Sequence, residues 1–176
     1  MRQDSEMNLE FKPIDLAINR DLVVKFRADS FFTSFGHDRD FWGEDGQGDK
    51  RYLEILAKKL TPENLLAFHV WQNNQIIGQM ELDFYFGDKN VGYINLFYLI
   101  PQMRGSGISH HLDQFATDFF KKLNVPKMLL SVSPTNPRAI AYYKKNGWTD
   151  LGPRFSEEEL KKNKFPQVHL MEKMIS

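Results

Sequence analysis

The sequence predicts an α/β protein built on a mixed, mostly antiparallel central sheet of about seven strands, with helices on its faces. Three observations predict it. Between residues 65 and 100 three extended apolar segments follow one another, separated only by turn-forming residues. Beyond residue 100 extended and helical patterns alternate, which calls for crossovers packed on a sheet. The 176 residues are 41% hydrophobic and include 15 phenylalanines, enough apolar material for the core of one domain spanning 1–176.

Leu9 to Pro13 reads as a first short strand. Ile18, Leu22, Val23 and Phe26 recur at helical spacing, predicting a helix over roughly 16–32. The stretch GHDRDFWGEDGQGD, 36–49, breaks that period with four glycines and many acids and reads as a loop. Asp49 is placed to cap a second helix, with Leu53, Leu56 and Leu60 on one face and Thr61-Pro62 ending it. Strands follow at 65–72 and 75–86, joined by Asn73-Asn74, a two-residue hairpin signal because Asn tolerates positive φ. After the turn at 88–90, residues 91–100 are almost continuously apolar, as in a central strand buried on both faces.

The next helix shows Ile108, Leu112, Phe115 and Phe119 in one row and Ala116, Phe120 and Leu123 in the adjacent one. Lys127 to Val132 is a strand. Asn136 and Pro137 fit the N-cap and first position of a further helix, and Gly147 the position just past its end. Residues 148–151 form a strand, Ser156 and Glu159 a capping box, and 168–175 the last strand.

Lys+Arg and Asp+Glu are each 23, so the net charge is zero and bulk attraction to nucleic acid is not expected. There is no cysteine, which excludes disulfides, thiolate metal sites and a cysteine nucleophile. The spacing of the histidines offers no metal set, and the adjacent His110 and His111 read as solvent-exposed. The N-terminal MRQDSEMNLE has no apolar leader core and no apolar run reaches membrane-spanning length, so a cytoplasmic protein without a membrane partner, monomeric or homodimeric, is expected.

The stretch LIPQMRGSGISHHL, 99–112, carries the chemistry. A strand runs into a turn stripped of side chains at Gly105 and Gly107, directly before a helix. It is neither a P-loop, since no Gly-Lys-Ser/Thr follows, nor a dinucleotide fingerprint, since His110 takes the third glycine position. The free amides of a helix N-terminus still suit a pyrophosphate. Read from spacing alone, a plain helix-entry turn serves equally well.

Two motifs together resemble the GNAT superfamily of acyl-CoA-dependent N-acetyltransferases. Gln102-Met103-Arg104-Gly105-Ser106-Gly107 is similar to its signature (Arg or Gln)-x-x-Gly-x-(Gly or Ala), and Asn136 to Trp148 resembles its Asn-x-x-Ala-x-x-x-Tyr-x-x-x-Gly-Phe segment. The element order fits over the whole chain. Two positions depart: Ser109 stands where a third glycine is common, and Trp148 replaces the phenylalanine.

The resemblance implies a GNAT fold with splayed central strands, acetyl-CoA as co-substrate and no metal. The coenzyme would be bound by Leu99, Ile100, Gln102, Met103, Arg104, Gly105, Ser106, Gly107, Ile108 and Ser109, together with Asn136, Arg138 and Tyr143. Arg104 would add a cation to the amides of the turn, and Pro101 would help to splay the central strand from its neighbour. Tyr143 would protonate the departing thiolate, whereas Tyr142 reads as core packing. A backbone N–H near Tyr98 to Ile100 would stabilise the developing oxyanion. With no cysteine, direct attack by the amine in a ternary complex is expected.

For the base that takes the amine proton the candidates are Glu81 and Asp83, two apart on a strand and therefore on one face. That face looks either into the acceptor cleft or to solvent. The acceptor would meet the segment 31–49, with Phe35, Trp42, Asp38 and Asp40, and also Tyr98. Aromatics and acids there suggest a small cationic amine or a peptide amine, unless the aromatics simply plug the core. A non-catalytic acyl-CoA sensor or scaffold with the same fold is the alternative reading.

Overall fold

The computed structural model describes residues 7–164 and 166–176. Strand β1 (Leu9–Pro13) leads into helix α1 (Leu16–Phe35), where the Asp15 carboxylate accepts from the Ala17 N–H at 2.9 Å. The helix runs one turn past the predicted end at 32 because Gly36, at φ +77°, supplies a left-handed cap. The expected loop 36–49 contains a turn of helix, α2 (Arg39–Trp42). Helix α3 (Gly48–Lys58) starts with Gln47 at the cap, so Asp49 lies in the first turn and not at the N-cap. Gly48 is obligatory there: a Cβ would come within 1.7 Å of the Phe41 carbonyl oxygen.

The two-residue strands β2 (Leu60–Thr61) and β3 (Asn64–Leu65) pair with each other. Strands β4 (Ala67–Gln72) and β5 (Gln75–Phe84) form the predicted hairpin, with Asn73 and Asn74 at φ +49° and +61°. A 3₁₀ turn at Tyr85–Gly87 ends β5 two residues before the predicted limit. Then come β6 (Val91–Leu99), α4 (Ile108–Lys122), β7 (Lys127–Val132), α5 (Pro137–Lys145), β8 (Thr149–Pro153), α6 (Glu157–Asn163) and β9 (His169–Met174). Asn136 caps α5, and the Ser156–Glu159 capping box opens α6, both as predicted.

Seven strands form one sheet in the order β1-β4-β5-β6-β7-β9-β8. Only β6 and β7 are parallel; the other neighbours are antiparallel. One face is covered by α4, whose Ile108, Leu112, Ala116 and Phe120 pack with Met80, Leu82, Met128 and Leu130. The opposite face carries α1, where Phe26 meets Leu96 and Tyr98, and a cluster of Val23, Phe41, Tyr52 and Leu56. Among the described residues no helix is long and apolar enough to cross a membrane.

The centre of the sheet departs from the continuous strand that the apolar run suggests. Glu81 pairs with Leu96 but Leu82 with Ile94, so Asn95 is an extra residue, a β-bulge. The bulge reverses the side-chain alternation. Before it, Gly92 and Ile94 face α4; after it, Leu96 and Tyr98 face α1. Pairing of β6 with β7 stops at the same place, with Ile94 opposite Leu130, and the strands part from there on. The splay therefore starts at the bulge, not at Pro101, which stands beyond the end of the strand.

The bulge is pinned by a buried cation. Lys59, 5% exposed, directs its ammonium at the Leu82 carbonyl (2.7 Å), the Asp83 carboxylate (2.7 Å) and the Asn95 side-chain oxygen (2.9 Å). All three of its donors are thereby used, which is what makes a buried lysine tolerable.

Candidate active site

Where β6 and β7 part, a cavity of about 470 Å³ passes through the sheet. On the α4 side it is walled by Leu99, Val132, Asn136, Ala139 and Tyr143, and on the α1 side by Arg27, Phe31, Phe35, Tyr93 and Arg154. The Thr135 hydroxyl reaches the Ser34 carbonyl at 3.4 Å and joins the two walls.

The lining extends to Leu99 and Arg104, and the glycine turn follows directly in the chain. Gly105 and Gly107 have φ of +75° and +89°, which side chains other than glycine's adopt only under strain. Among the described residues, no acceptor is found for the N–H groups of Gly105, Ser106, Gly107, Ile108 or Ser109. Five consecutive free amides at the start of a 15-residue helix make a strong anion cradle. Side chains are turned out of the way: the Ser106 hydroxyl donates to the Met103 carbonyl at 2.6 Å, and Ile108 is buried in the core. Ser109 is half-buried; Met103 packs against the core, and Gln102 is exposed beside a second cavity on the far side of Tyr98.

The two arginines near this turn have different situations. Arg104 donates to the Leu99 carbonyl (2.9 Å) and to Asp29 of α1 (2.9 Å), with its guanidinium over the Tyr98 ring. Its charge is paired with Asp29, and it braces the turn against α1. Arg138 is exposed and forms no ion pair with a described residue; its guanidinium lies 3.6 Å from where a Cβ of Gly105 would be. It is the unneutralised cation beside the amides.

Tyr143 projects from α5 into the cavity and packs edge-on against Trp148, with centroids 5.9 Å apart. Burial first, then the neighbouring Tyr142 and Asp113, pushes its pKa up, so the phenol keeps its proton throughout the neutral range. Tyr142 lies outside the cavity lining, edge-on to Tyr143, with its own pKa pushed up to about 12. The Asn136 side-chain oxygen is occupied as the cap of α5, accepting from Ala139 at 3.1 Å; its NH₂ group remains available.

Glu81 and Asp83 do not reach the cavity. Glu81 is 3% exposed beneath α3, where its carboxylate accepts from the Tyr52 hydroxyl (2.7 Å) and the Gln79 amide (3.0 Å). Gln79 also meets His69 at 3.1 Å, and burial holds the His69 pKa down. Asp83 is the partner of Lys59. Glu81 is covered by α3, whereas the Asp83 side chain stays 46% exposed to solvent.

Of the expected acceptor residues, Phe35 and Tyr98 line the cavity. The Tyr98 hydroxyl is bound to Asp29 at 2.6 Å. Asp38 lines the second cavity and accepts from the Trp42 indole at 2.9 Å. Trp42 packs on Phe41, and Asp40 lies 4.0 Å from His37. Asp45 takes two hydrogen bonds from Arg51, 2.7 and 2.9 Å, which lower its pKa to about 2, and Glu44 is exposed, 3.5 Å from Lys164. These acids fold the segment on itself because its glycines let it turn back. Among the described residues no group of three or more metal-ligating side chains converges. Polar lining residues that the sequence left unmarked include Arg27 of α1, Tyr93 and Asn95 of β6, Ser131 of β7 and Arg154 just past β8, joined only by the fold.

The sequence profile of the acetyltransferase (GNAT) family matches residues 28–148, more than half of the chain. The chain belongs to the GNAT acetyltransferase family. The GNAT fold is seen again in solved structures of low sequence identity. The spermidine N-acetyltransferase of Vibrio cholerae, in complex with CoA and spermine, superposes with a TM-score of 0.70 at 19% identity, covering 95% of each chain. The PaiA N-acetyltransferase of Thermoplasma acidophilum, in complex with coenzyme A, gives 0.69 at 17%, covering 96% of this chain and 99% of that one. The ribosomal-protein-S18-alanine N-acetyltransferase of Escherichia coli gives 0.65 at 16%, covering 96% and 94%. No curated protein matches the chain in sequence.

Proposed function

We propose that this GNAT acetyltransferase moves the acetyl group of acetyl-CoA to a primary amine by direct attack within a ternary complex. The observation that carries the reading is the run of five unpartnered amides, 105–109, at one end of a through-sheet slit whose wall bears the protonated Tyr143. The coenzyme supplies a thioester carbon open to attack by nitrogen. The amides and Arg138 bind its diphosphate. The free edge of β6 beyond Ile94 and the Asn136 NH₂ group hold the amide-bearing arm. Tyr143 gives a proton to the thiolate as the C–S bond breaks and the C–N bond forms, and the phenol is restored by the proton the nitrogen sheds in becoming the amide.

With no carboxylate among the described residues that line the cavity, deprotonation rests on electrostatics. Guanidinium groups of Arg27 and Arg154 disfavour an ammonium in the slit, so the amine's proton is released to solvent on binding. The test is thiol release from acetyl-CoA over a panel of primary amines. Release with at least one amine, tied to formation of its N-acetyl product, is expected. Coenzyme binding without release for any amine would make the protein an acyl-CoA-binding module instead.

A further inference from the structure

The charges in the slit are one-sided. Among the described residues its lining includes three arginines, Arg27, Arg104 and Arg154, and not one aspartate or glutamate. Arg104 is neutralised by Asp29, whereas Arg27 and Arg154 have no carboxylate partner among the described residues. Each is held by neutral groups. One terminal nitrogen of Arg27 donates to the Asn95 carbonyl at 3.1 Å, with the guanidinium 5.5 Å from the Phe31 ring centroid. One terminal nitrogen of Arg154 donates to the Tyr93 hydroxyl and the Ser131 hydroxyl, both at 2.8 Å, and its guanidinium is 5.4 Å from the Tyr93 ring. A guanidinium has five donors, so both retain N–H groups for a ligand in a fixed orientation.

Their position separates them from the diphosphate end. Tyr93 and Ser131 flank the last β6–β7 pair, Ile94 with Leu130, and their hydroxyls meet at 2.8 Å across the vertex of the splay. From Tyr93 to Leu99 the strand rises by about 20 Å. Arg154 thus stands at the vertex on the α1 side, and Arg27 approaches the same strand from α1 at the bulge. A cationic acceptor entering here would meet two like charges and no compensating acid. An acceptor with an anionic end would meet two prepared forks, while its amine points along the slit toward Tyr143.

We propose that the acceptor is a small primary amine bearing its own carboxylate, an amino-acid-like molecule, whose carboxylate is received by Arg154 and Arg27. This rests on the N-acetyltransferase reading of the same slit. It reverses the acceptor charge suggested by the acidic segment 36–49, two of whose carboxylates, Asp38 and Asp45, are bound by Trp42 and Arg51.

The test separates binding from turnover. Glycine, methionine and glutamate, the amides glycinamide and methioninamide, spermidine and O-phosphoethanolamine are titrated into the CoA-saturated protein by calorimetry. Each is then assayed for thiol release with acetyl-CoA. Free amino acids are expected to bind at least about tenfold more tightly than their amides. Arg154→Gln should remove that preference, Arg154→Lys should restore part of it, and CoA affinity should be unchanged in both. Arg27→Gln should have the same effect, which keeps the proposal testable if one variant fails to fold. Equal binding of acids and amides, preference for spermidine, preference for the phosphate compound over every carboxylate, or no binding by any amine would each overturn it. Carboxylate binding that depends on Arg154 without thiol release would leave this assignment standing and refute the transferase reading alone.

Discussion

The two ends of the slit are built on opposite plans. At the glycine turn the backbone faces the ligand: five amides are left open and the nearby side chains are tied back, Ser106 to Met103 and Arg104 to Asp29. At the vertex the backbone is sealed in strand pairing and side chains converge, Arg27 from α1, Tyr93 from β6, Ser131 from β7 and Arg154 from the end of β8. A backbone site is written in consecutive residues, and a side-chain site is assembled by the fold. The first presents backbone donors to an anion, and the second presents side chains in fixed orientations.

The largest expected effects test what holds the two ends in register. Lys59→Met removes the cation beneath the bulge and leaves Asp83 and Asn95 without their partner; a loss of about 3 kcal/mol is expected, read from chemical denaturation. Unchanged stability would mean that the bulge holds itself. Next, Tyr143→Phe should lower kcat by about 100-fold while acetyl-CoA affinity stays the same. A fall in affinity with kcat intact would make Tyr143 part of the coenzyme-binding wall. Arg138→Ala should weaken CoA binding by roughly tenfold, and Ser106→Ala should not, since the Ser106 hydroxyl is turned to Met103. The reverse order would show that side chains, not amides and Arg138, do the work at the turn.

Two smaller effects sharpen the contrast. Neutralising Asp38, Asp40 and Asp45 together should change KM for any amine by less than about twofold, as expected of exposed pairs outside the cavity. A large rise in KM for cationic amines would return the acceptor site to that segment. Finally, His69 is held neutral by burial, its folded pKa below the ordinary 6.5. As pH falls through 6.5 the unfolded chain takes up that proton before the folded chain does, so stability declines there. His69→Gln should flatten the decline in melting temperature between pH 7 and pH 6, and an unaltered slope would assign it to other groups.

How much of this was legible in the sequence follows the same division. The hairpin at Asn73-Asn74, the cap at Asn136 and the capping box at Ser156 are each local chemistry within a few residues, and each stands where the sequence puts it. So do the glycine turn and the side of α5 that carries Tyr143. The bulge was invisible because Asn95 in an apolar run looks like any single polar residue, and only pairing with β5 reveals that it is supernumerary. Glu81 and Asp83 do share a face, but nothing local tells that Tyr52 and Lys59 of another segment bind them. The acids of 36–49 suggested a cationic acceptor; two of them, Asp38 and Asp45, are bound by Trp42 and Arg51, their neighbours in sequence, while Arg27 and Arg154, 127 positions apart, are brought to one cavity only by the fold.

The central claim is that the bare amides of 105–109 hold a diphosphate and so aim a thioester along the slit. It is tested most directly by following the backbone amide resonances of the ¹⁵N-labelled protein as CoA, and separately pantetheine, is added. Large shifts of Gly105, Ser106, Gly107, Ile108 and Ser109 with CoA, absent with pantetheine, are predicted. Tight CoA binding that leaves those five resonances in place, or moves them equally with pantetheine, would contradict it.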